Sequence, residues 1–192
     1  MYKVIIILTL SFNCLNSYSQ SNFTDTSAKT EVINFIKWYT QNIDSIYYKY
    51  KFVKLEKNKN YRIDFNQVNA FLINLKKCNM LSDNYIKEFK NYFTRCDANF
   101  VNHPQFDDPP FGLDYDLVIK YNDYDNVITN LNKSKIIIYH KNKNFIFIVL
   151  EFTKWDKNSF ELIKQKNKWL INKINGDFPM EINHQLPSYP KG

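Results

Sequence analysis

NFIFIVLEF, residues Asn144–Phe152, is the most continuously apolar run of the chain outside its N-terminus. Because alternate side chains of a β-strand point to opposite faces, this run would be apolar on both faces. Such a strand is typical of the middle of a sheet that is covered on each side. The run is also shorter than the ~20 residues that a membrane-spanning helix requires. It therefore predicts a central strand around which the rest of the chain is arranged.

Shorter apolar segments surround this strand, and polar turns separate them. Short polar turns join antiparallel neighbours rather than parallel crossovers. The second half of the chain therefore predicts an antiparallel meander of four to five strands. Besides the central strand, the predicted strands are Leu117–Tyr121, Lys135–His140, Phe160–Gln165 and Trp169–Ile174. The predicted turns are Asn122–Asn126, Lys141–Lys143, Trp155–Asn158 and Lys166–Lys168.

Apolar residues in the first half recur at helical spacing and predict three helices. The first would run for about five turns and end near Tyr50. Asp64 is expected to cap the second, with Gln67 three residues later to complete a capping box. Ser82 is expected to begin the third, and Lys51–Asn60 would be a charged linker. Helices followed by a meander predict an α+β fold, with three N-terminal helices packed on one face of a curved antiparallel sheet.

The length of 192 residues suits one domain with a substantial core. We place a single α+β domain at residues 28–176 and an irregular tail with three prolines at 177–192. The chain has only three glycines, and neither GxGxxG nor GxxxxGK[ST] occurs in it. Nucleotide chemistry of the usual kinds is therefore not expected, and no cofactor is predicted.

The formal net charge of +7 raises the question of nucleic acid. The lysines, however, are spread along the chain, mostly at predicted turns and helix ends. Only Arg62 and Arg95 are arginines, whereas readout of bases and phosphates favours the bidentate guanidinium. We therefore predict that nucleic acid is not a partner.

Residues 1–19, MYKVIIILTLSFNCLNSYS, have the layout of a secretory signal peptide. Lys3 precedes an apolar run from Val4 to Phe12, and small polar residues follow. We expect cleavage before Gln20, which leaves no integral membrane segment. The protein is therefore predicted to be exported, either to a periplasm or out of the cell.

Cys78 and Cys96 would then fold in an oxidising compartment, which favours a disulfide. The predicted helix argues against it, because Cys96 would lie about 21 Å along that helix from its start at Ser82. A bridge requires Cα atoms within about 7 Å. A disulfide and two buried free thiols both stay open.

Asp97–Leu113 contains three prolines and a glycine, so it is predicted to be a loop rather than a helix. Long ordered loops are frequently functional. Hard cations prefer carboxylate and carbonyl oxygens, so a metal or ligand site is predicted here. The spacing does not match an EF-hand, and turn or cap hydrogen bonds are the alternative role. The candidate residues are His103, Asp107, Asp108, Asp114 and Asp116.

Three short segments carry a resemblance to a known family: FIKWYTQNI at Phe35–Ile43, LSDNYIKEFKNYF at Leu81–Phe93 and DDPPFGLDYD at Asp107–Asp116. They resemble a secreted bacterial family, domain of unknown function 3828, over roughly residues 28–176. The order of helices and strands is similar to the cone-shaped nuclear-transport-factor-2-like (cystatin-like) superfamily. That resemblance implies a ligand inside the cone, between helices and sheet. The candidate lining residues are Trp38, Tyr39, Phe93, Tyr115 and Trp169.

Three functions are compatible with these observations. The first is an exported module that binds a small molecule or a peptide. The second is a partner-binding protein of the inhibitor or immunity type, in which the loop at 97–113 protrudes. The third is an enzyme in which a buried Asp114 or Asp116, its pKa raised by burial, acts as acid and base. No nucleophile constellation is present, so binding is expected rather than catalysis.

Overall fold

The computed structural model describes residues 26–57, 60–106, 110–119, 124–152 and 157–175. The α-helices among them are α1 (Thr26–Gln41), α2 (Phe65–Lys76), α3 (Asp83–Asn102) and α4 (Tyr124–Leu131), and a π-helical turn spans Asp44–Tyr48. The strands are β1 (Val53–Leu55), β2 (Tyr61–Ile63), β3 (Lys135–Asn142), β4 (Phe145–Glu151), β5 (Lys157–Gln165) and β6 (Lys168–Ile174). The predicted α+β class is confirmed. None of the helices in these ranges has the length and apolar character needed to cross a membrane.

The larger sheet has the strand order β3-β4-β5-β6, and every neighbouring pair is antiparallel. The predicted meander is therefore confirmed, with four strands. The strand predicted at Leu117–Tyr121 is wrong where the structure describes it, because residues 117–119 form a turn. One carboxylate oxygen of Asp116 accepts hydrogen bonds from the backbone of Val118 and Ile119, which keeps this segment from extending. Of the turn predicted at Asn122–Asn126, residues 124–126 belong to α4, and residues 122–123 lie outside the described ranges.

β4 is an interior strand, paired with β3 on one side and β5 on the other. On one face Ile146, Ile148 and Leu150 are buried in the main core. On the opposite face Phe147 and Val149 are half-buried and lie outside that core. The interior position is confirmed, whereas the expected equal cover on both faces is not seen in the described residues.

α2 and α3 begin at the positions that the sequence predicts. The Asp64 side chain accepts hydrogen bonds from the backbone N–H groups at the start of α2, and Ser82 accepts from Tyr85 at the start of α3. The reciprocal half of the predicted capping box is replaced, because the backbone N–H of Asp64 donates to the carbonyl of Phe52 instead (2.8 Å). Both caps satisfy N–H groups that a helix leaves open.

The first helix is shorter than predicted, since α1 ends at Gln41. The side chain of Asn42 donates to the carbonyl of Trp38 (2.8 Å), and its backbone N–H turns to the carbonyl of Tyr39 (3.1 Å). A side chain that takes a helical acceptor competes with the helix at that point. The chain then continues as the π-helical turn.

The third helix is longer than predicted, because α3 continues through Asp97 to Asn102 and ends just before Pro104. Proline disfavours helix in the residue before it but not further upstream. The expected linker at residues 51–60 is also corrected, since it contains β1, which pairs with β2. β1 and β2 thus form a short ribbon that packs against the C-terminal half of α3.

The edge of the sheet at β6 is covered by the segment between α2 and α3. Leu81 forms a parallel bridge with Ile171. The backbone N–H of Ile171 donates to the carbonyl of Met80 (2.8 Å), and the N–H of Ser82 donates to the carbonyl of Ile171 (2.9 Å). The helical half is therefore hydrogen-bonded to the last strand of the sheet.

Candidate functional site

Asp116 is the buried member of the predicted aspartate pair, only 3% exposed. The hydroxyl of Tyr39 donates to its Oδ2 (2.6 Å), and the N–H groups of Val118 and Ile119 donate to its Oδ1 (2.8 Å each). Several donors on one carboxyl group offset the cost of burying it. We therefore assign Asp116 a structural role, which is to hold the 116–119 turn against α1.

Two further tyrosines are affected by this carboxyl group. The Tyr47 hydroxyl donates to the carbonyl of Tyr115 (3.0 Å) and accepts from the N–H of Leu117 (3.4 Å). Burial, and then the charge of Asp116, raise the pKa of Tyr47 and of Tyr85. Both phenols are therefore neutral at physiological pH, and the Tyr47 hydroxyl acts as a hydrogen-bonding group rather than as a base.

The other candidate ligand residues are not gathered around Asp116. Asp114 and His103 are exposed, and His103 lies at the C-terminal end of α3. Asp107 and Asp108 lie outside the described residues. Within the described ranges, no group of three or more His, Cys, Asp and Glu side chains could hold a metal ion. The cation site therefore stays a prediction that depends on Asp107 and Asp108.

The five aromatic residues suggested as a ligand lining divide into two groups. Tyr39, Phe93 and Trp169 are at most 2% exposed, whereas Trp38 and Tyr115 are half-buried. The ring of Phe93 packs 4.9 Å from that of Phe52, centroid to centroid. Burial of this kind is ordinary for core aromatics. The small-ligand hypothesis stays a prediction.

Cys78 and Cys96 are both free thiols in the structure. Cys78 is half-buried, and its Sγ accepts a hydrogen bond from the N–H of Met80 (3.3 Å). Burial raises the pKa of Cys78 and raises that of Cys96 to about 11. Protonated thiols of this kind are poor nucleophiles and poor metal ligands.

The structure also joins residues that the sequence pattern did not connect. Asp97 accepts two hydrogen bonds from the guanidinium of Arg62 (2.8 and 2.7 Å) and a third from the N–H of Ile63 (2.9 Å). This pair fastens β2 to α3. Beyond it, the carbonyl of Gln105 accepts from the N–H of Tyr61 (2.9 Å), which continues the ribbon into the loop after α3. The side-chain oxygen of Gln105 accepts from the N–H of Phe111 (3.0 Å).

Large apolar side chains are exposed on the segments that meet at Gln105. Leu55 is the strand partner of Tyr61. Val101 lies one helical turn after Asp97, on the side of α3 that faces β2. We call the following set the loop patch: Leu55 (59% exposed), Val101 (55%), Phe106 (67%) and Phe111 (44%). The sequence indicates the loop patch only by two phenylalanines in a proline-containing loop. These two residues do not belong to a periodic apolar pattern.

Positive charge lies beside the loop patch. Residues 49–62, which include β1 and β2, contain five lysines and one arginine but a single acid, Glu56. The side chains of Lys54 and Arg62 are 54% and 40% exposed, and they are paired with Glu56 and Asp97, so the excess positive charge comes from the remaining lysines of this segment.

No protein-family model, no curated protein and no solved structure matches this chain. The resemblance drawn from its short segments therefore stays a prediction.

Proposed function

We propose that the protein is an exported module that binds a protein partner through the loop patch. The observation that carries this proposal is the exposure of Phe106, which follows Gln105, and of Phe111, whose N–H donates to the Gln105 side chain. Exposed apolar groups that lie together on an ordered surface mark interaction sites. Phenylalanine is also enriched in the cores of protein interfaces.

The size of the loop patch indicates how much binding free energy must come from other contacts with the partner. Burying one such side chain fully contributes about 1.5–3 kcal/mol, so four half-exposed ones would contribute on the order of 4–6 kcal/mol. Association itself costs at least about 4 kcal/mol. Apolar contact at the patch alone would therefore give weak binding. A polar rim must supply the remainder, and the basic ribbon at 49–62 favours a partner with an acidic rim.

The protein is also proposed to be exported and to have a cone-shaped fold. Export depends on residues 1–19, which lie outside the described residues, and their composition is what supports it. Membership of the domain-of-unknown-function family, and a cone formed by three helices on a curved sheet, are retained as inferences from the sequence resemblance. A mass spectrum of the mature protein from periplasm or culture medium should show an N-terminus at Gln20. A mature chain that begins at Met1 would contradict export by cleavage.

Photo-cross-linking in the native host tests the partner-binding function directly. A benzophenone amino acid would replace Phe106 in one variant and Ile73 in a matched control. Ile73 is 66% exposed on α2, which contributes no residue to the loop patch. We expect position 106, but not position 73, to cross-link a single protein with an acidic surface. Identical products at both positions, or none at 106, would refute the proposal.

A further inference from the structure

The two edge strands of the four-stranded sheet, β3 and β6, have different surroundings. At β6, Ile171 exchanges backbone hydrogen bonds with Met80 and Ser82, so that edge is paired at this residue. At β3, by contrast, the described part of the chain supplies a strand on the β4 side alone. An edge strand presents a row of backbone N–H and C=O groups that a further strand can pair with. Within the described residues, β3 is therefore an edge of the larger sheet at which such pairing is possible.

The geometry of β3 suits an added strand. Its pairing with β4 is regular from Lys135 to His140, and the irregularity lies at its end, between His140 and Asn142. On the outer face of the sheet, Tyr139 is 54% exposed and its ring lies 6.2 Å from that of Phe147. An extended peptide would therefore find a straight backbone edge and an aromatic surface for its alternate side chains.

Charge decides between the possible occupants. Residues 133–143 contain four lysines, at 133, 135, 141 and 143, and no acid, and Oε2 of Glu151 in β4 lies 3.6 Å from Nζ of Lys135. Antiparallel pairing with a second copy, centred on Ile138, would bring the lysine-containing start of β3 beside the lysine-containing end of the other β3. A parallel in-register pair would stack each lysine on itself. Like charges opposite each other are destabilising, so a second copy is disfavoured and an acidic segment is favoured.

We propose that β3 binds an extended, acidic segment of a partner protein as an additional strand of the sheet. This surface is separate from the loop patch, so either site can be disproved without the other. Main-chain hydrogen bonds provide the attraction, and the lysines at the two ends of β3 select a segment with acids at its ends.

Binding of a synthetic peptide tests this proposal. The probe is a capped peptide of alternating valine and threonine with two glutamates at each end, titrated into the full chain by fluorescence anisotropy. Two matched peptides carry lysines in place of the glutamates, or a proline in the middle. We expect binding by the acidic peptide alone, weakening with salt. Equal binding by the lysine peptide or the proline peptide, or no binding by any, would overturn the proposal.

Amide hydrogen exchange gives a second readout that a surface charge effect does not mimic. The acidic peptide should slow exchange in β3, at residues 135–142, and leave β6 unchanged. Binding that does not slow β3 exchange would refute strand addition. Concentration-dependent protection of β3 without peptide would instead assign the edge to a second copy, and this also overturns the proposal.

A pair of charge reversals locates the peptide. Lys133→Glu with Lys143→Glu changes exposed lysines next to the two ends of β3. Lys87→Glu with Lys90→Glu makes the same change in net charge on the exposed face of α3. We expect the first pair to weaken binding of the acidic peptide by about tenfold and the second to leave it nearly unchanged. Equal weakening by both would show a general charge effect and overturn the assignment to β3.

Discussion

The Tyr39 hydroxyl donates a 2.6 Å hydrogen bond to Oδ2 of Asp116, across 77 residues of sequence. Both residues are buried, so the bond joins α1 to the 116–119 turn inside the core. A buried hydrogen bond to a carboxyl group is stronger than an exposed one, and leaving one partner unsatisfied is costly. The 116–119 turn is therefore held by the hydroxyl of Tyr39 at Asp116, together with the hydroxyl of Tyr47 at Tyr115 and Leu117.

Tyr39→Phe removes that hydroxyl and keeps the ring. We expect the free energy of unfolding to fall by about 1.5–3 kcal/mol, because the carboxyl oxygen loses a donor that water cannot easily replace. Urea denaturation followed by circular dichroism measures the change. Tyr139→Phe is the control, since that hydroxyl is on an exposed side chain, and it should alter stability by less than about 0.5 kcal/mol. Equal effects of the two changes would contradict the role given to Asp116.

Asp97→Asn weakens the connection between β2 and α3. The hydrogen bonds from Arg62 hold the pKa of Asp97 below its ordinary value. A carboxyl group with a lowered pKa stabilises the fold above its unfolded pKa, and this contribution is lost as the pH falls through the folded pKa. We therefore expect the variant to lose about 1–2 kcal/mol at neutral pH. The gap from wild type should close only below about pH 4.

Urea titrations between pH 7 and pH 2.5 measure that gap. Glu56→Gln is the matched control, because Glu56 pairs with Lys54 at 3.4 Å and both side chains are about half exposed. It should change stability by less than about 0.5 kcal/mol at any pH. A gap for Asp97→Asn that is constant over the whole pH range would show that the ion pair does not contribute.

Gly112→Ala tests the loop between α3 and the 116–119 turn. Gly112 has φ +81°, and an added Cβ would lie 2.9 Å from the hydroxyl oxygen of Tyr92. We expect a loss of about 1–3 kcal/mol from backbone strain, plus a contribution from this close contact. In a Tyr92→Phe background the contact is gone, so the cost of the alanine should be smaller there. An unchanged cost in the double-mutant cycle would exclude the contact.

The two faces of β4 should respond differently to truncation. Ile148→Ala removes a fully buried side chain from the core and should cost about 2–5 kcal/mol. Val149→Ala acts on the half-buried outer face and should cost about 1 kcal/mol. Equal losses in urea denaturation would mean that the outer face is covered as well as the inner one.

Alkylation tests the state of the Cys78 and Cys96 thiols in the folded protein. Because burial raises the pKa of both, native alkylation by iodoacetamide at neutral pH should be slow, with half-buried Cys78 reacting before buried Cys96. Unfolding in urea should accelerate both reactions by about tenfold or more. Mass spectrometry of the peptides measures the rates. Labelling that needs a reductant would show a disulfide instead.

Patterns that repeat along the chain and the caps at helix starts were predictable from the sequence, whereas the other single-residue contacts were not. The meander from β3 to β6 and the caps at Asp64 and Ser82 follow from periodicity and local chemistry. α1 was overestimated because one amide, on Asn42, competes with the helix for an acceptor. The strand expected at Leu117 has the right apolar content but is turned by the Asp116 side chain.

The candidate site was harder to predict than the fold. Acids in a loop indicated a cation site, but Asp116 is buried and Asp114 is exposed, and the local sequence did not indicate which of the two would be buried. The loop patch depends on Gln105, whose backbone and side chain bond to Tyr61 and Phe111, on two segments that are far from each other in sequence. Contacts of this kind arise from tertiary packing and leave no local periodicity.

The bridge between Leu81 and Ile171 spans 90 residues, so it can form only after β6 is in place. Contacts between distant segments raise the contact order, and loop-closure entropy must be overcome before they form. The link between α2 and α3 has no strand to pair with until β6 is in place. A chain that stops after β5 would therefore lack β6, and the segment between α2 and α3 would have no strand to pair with. Folding is accordingly expected to be slow for a protein of this helical content.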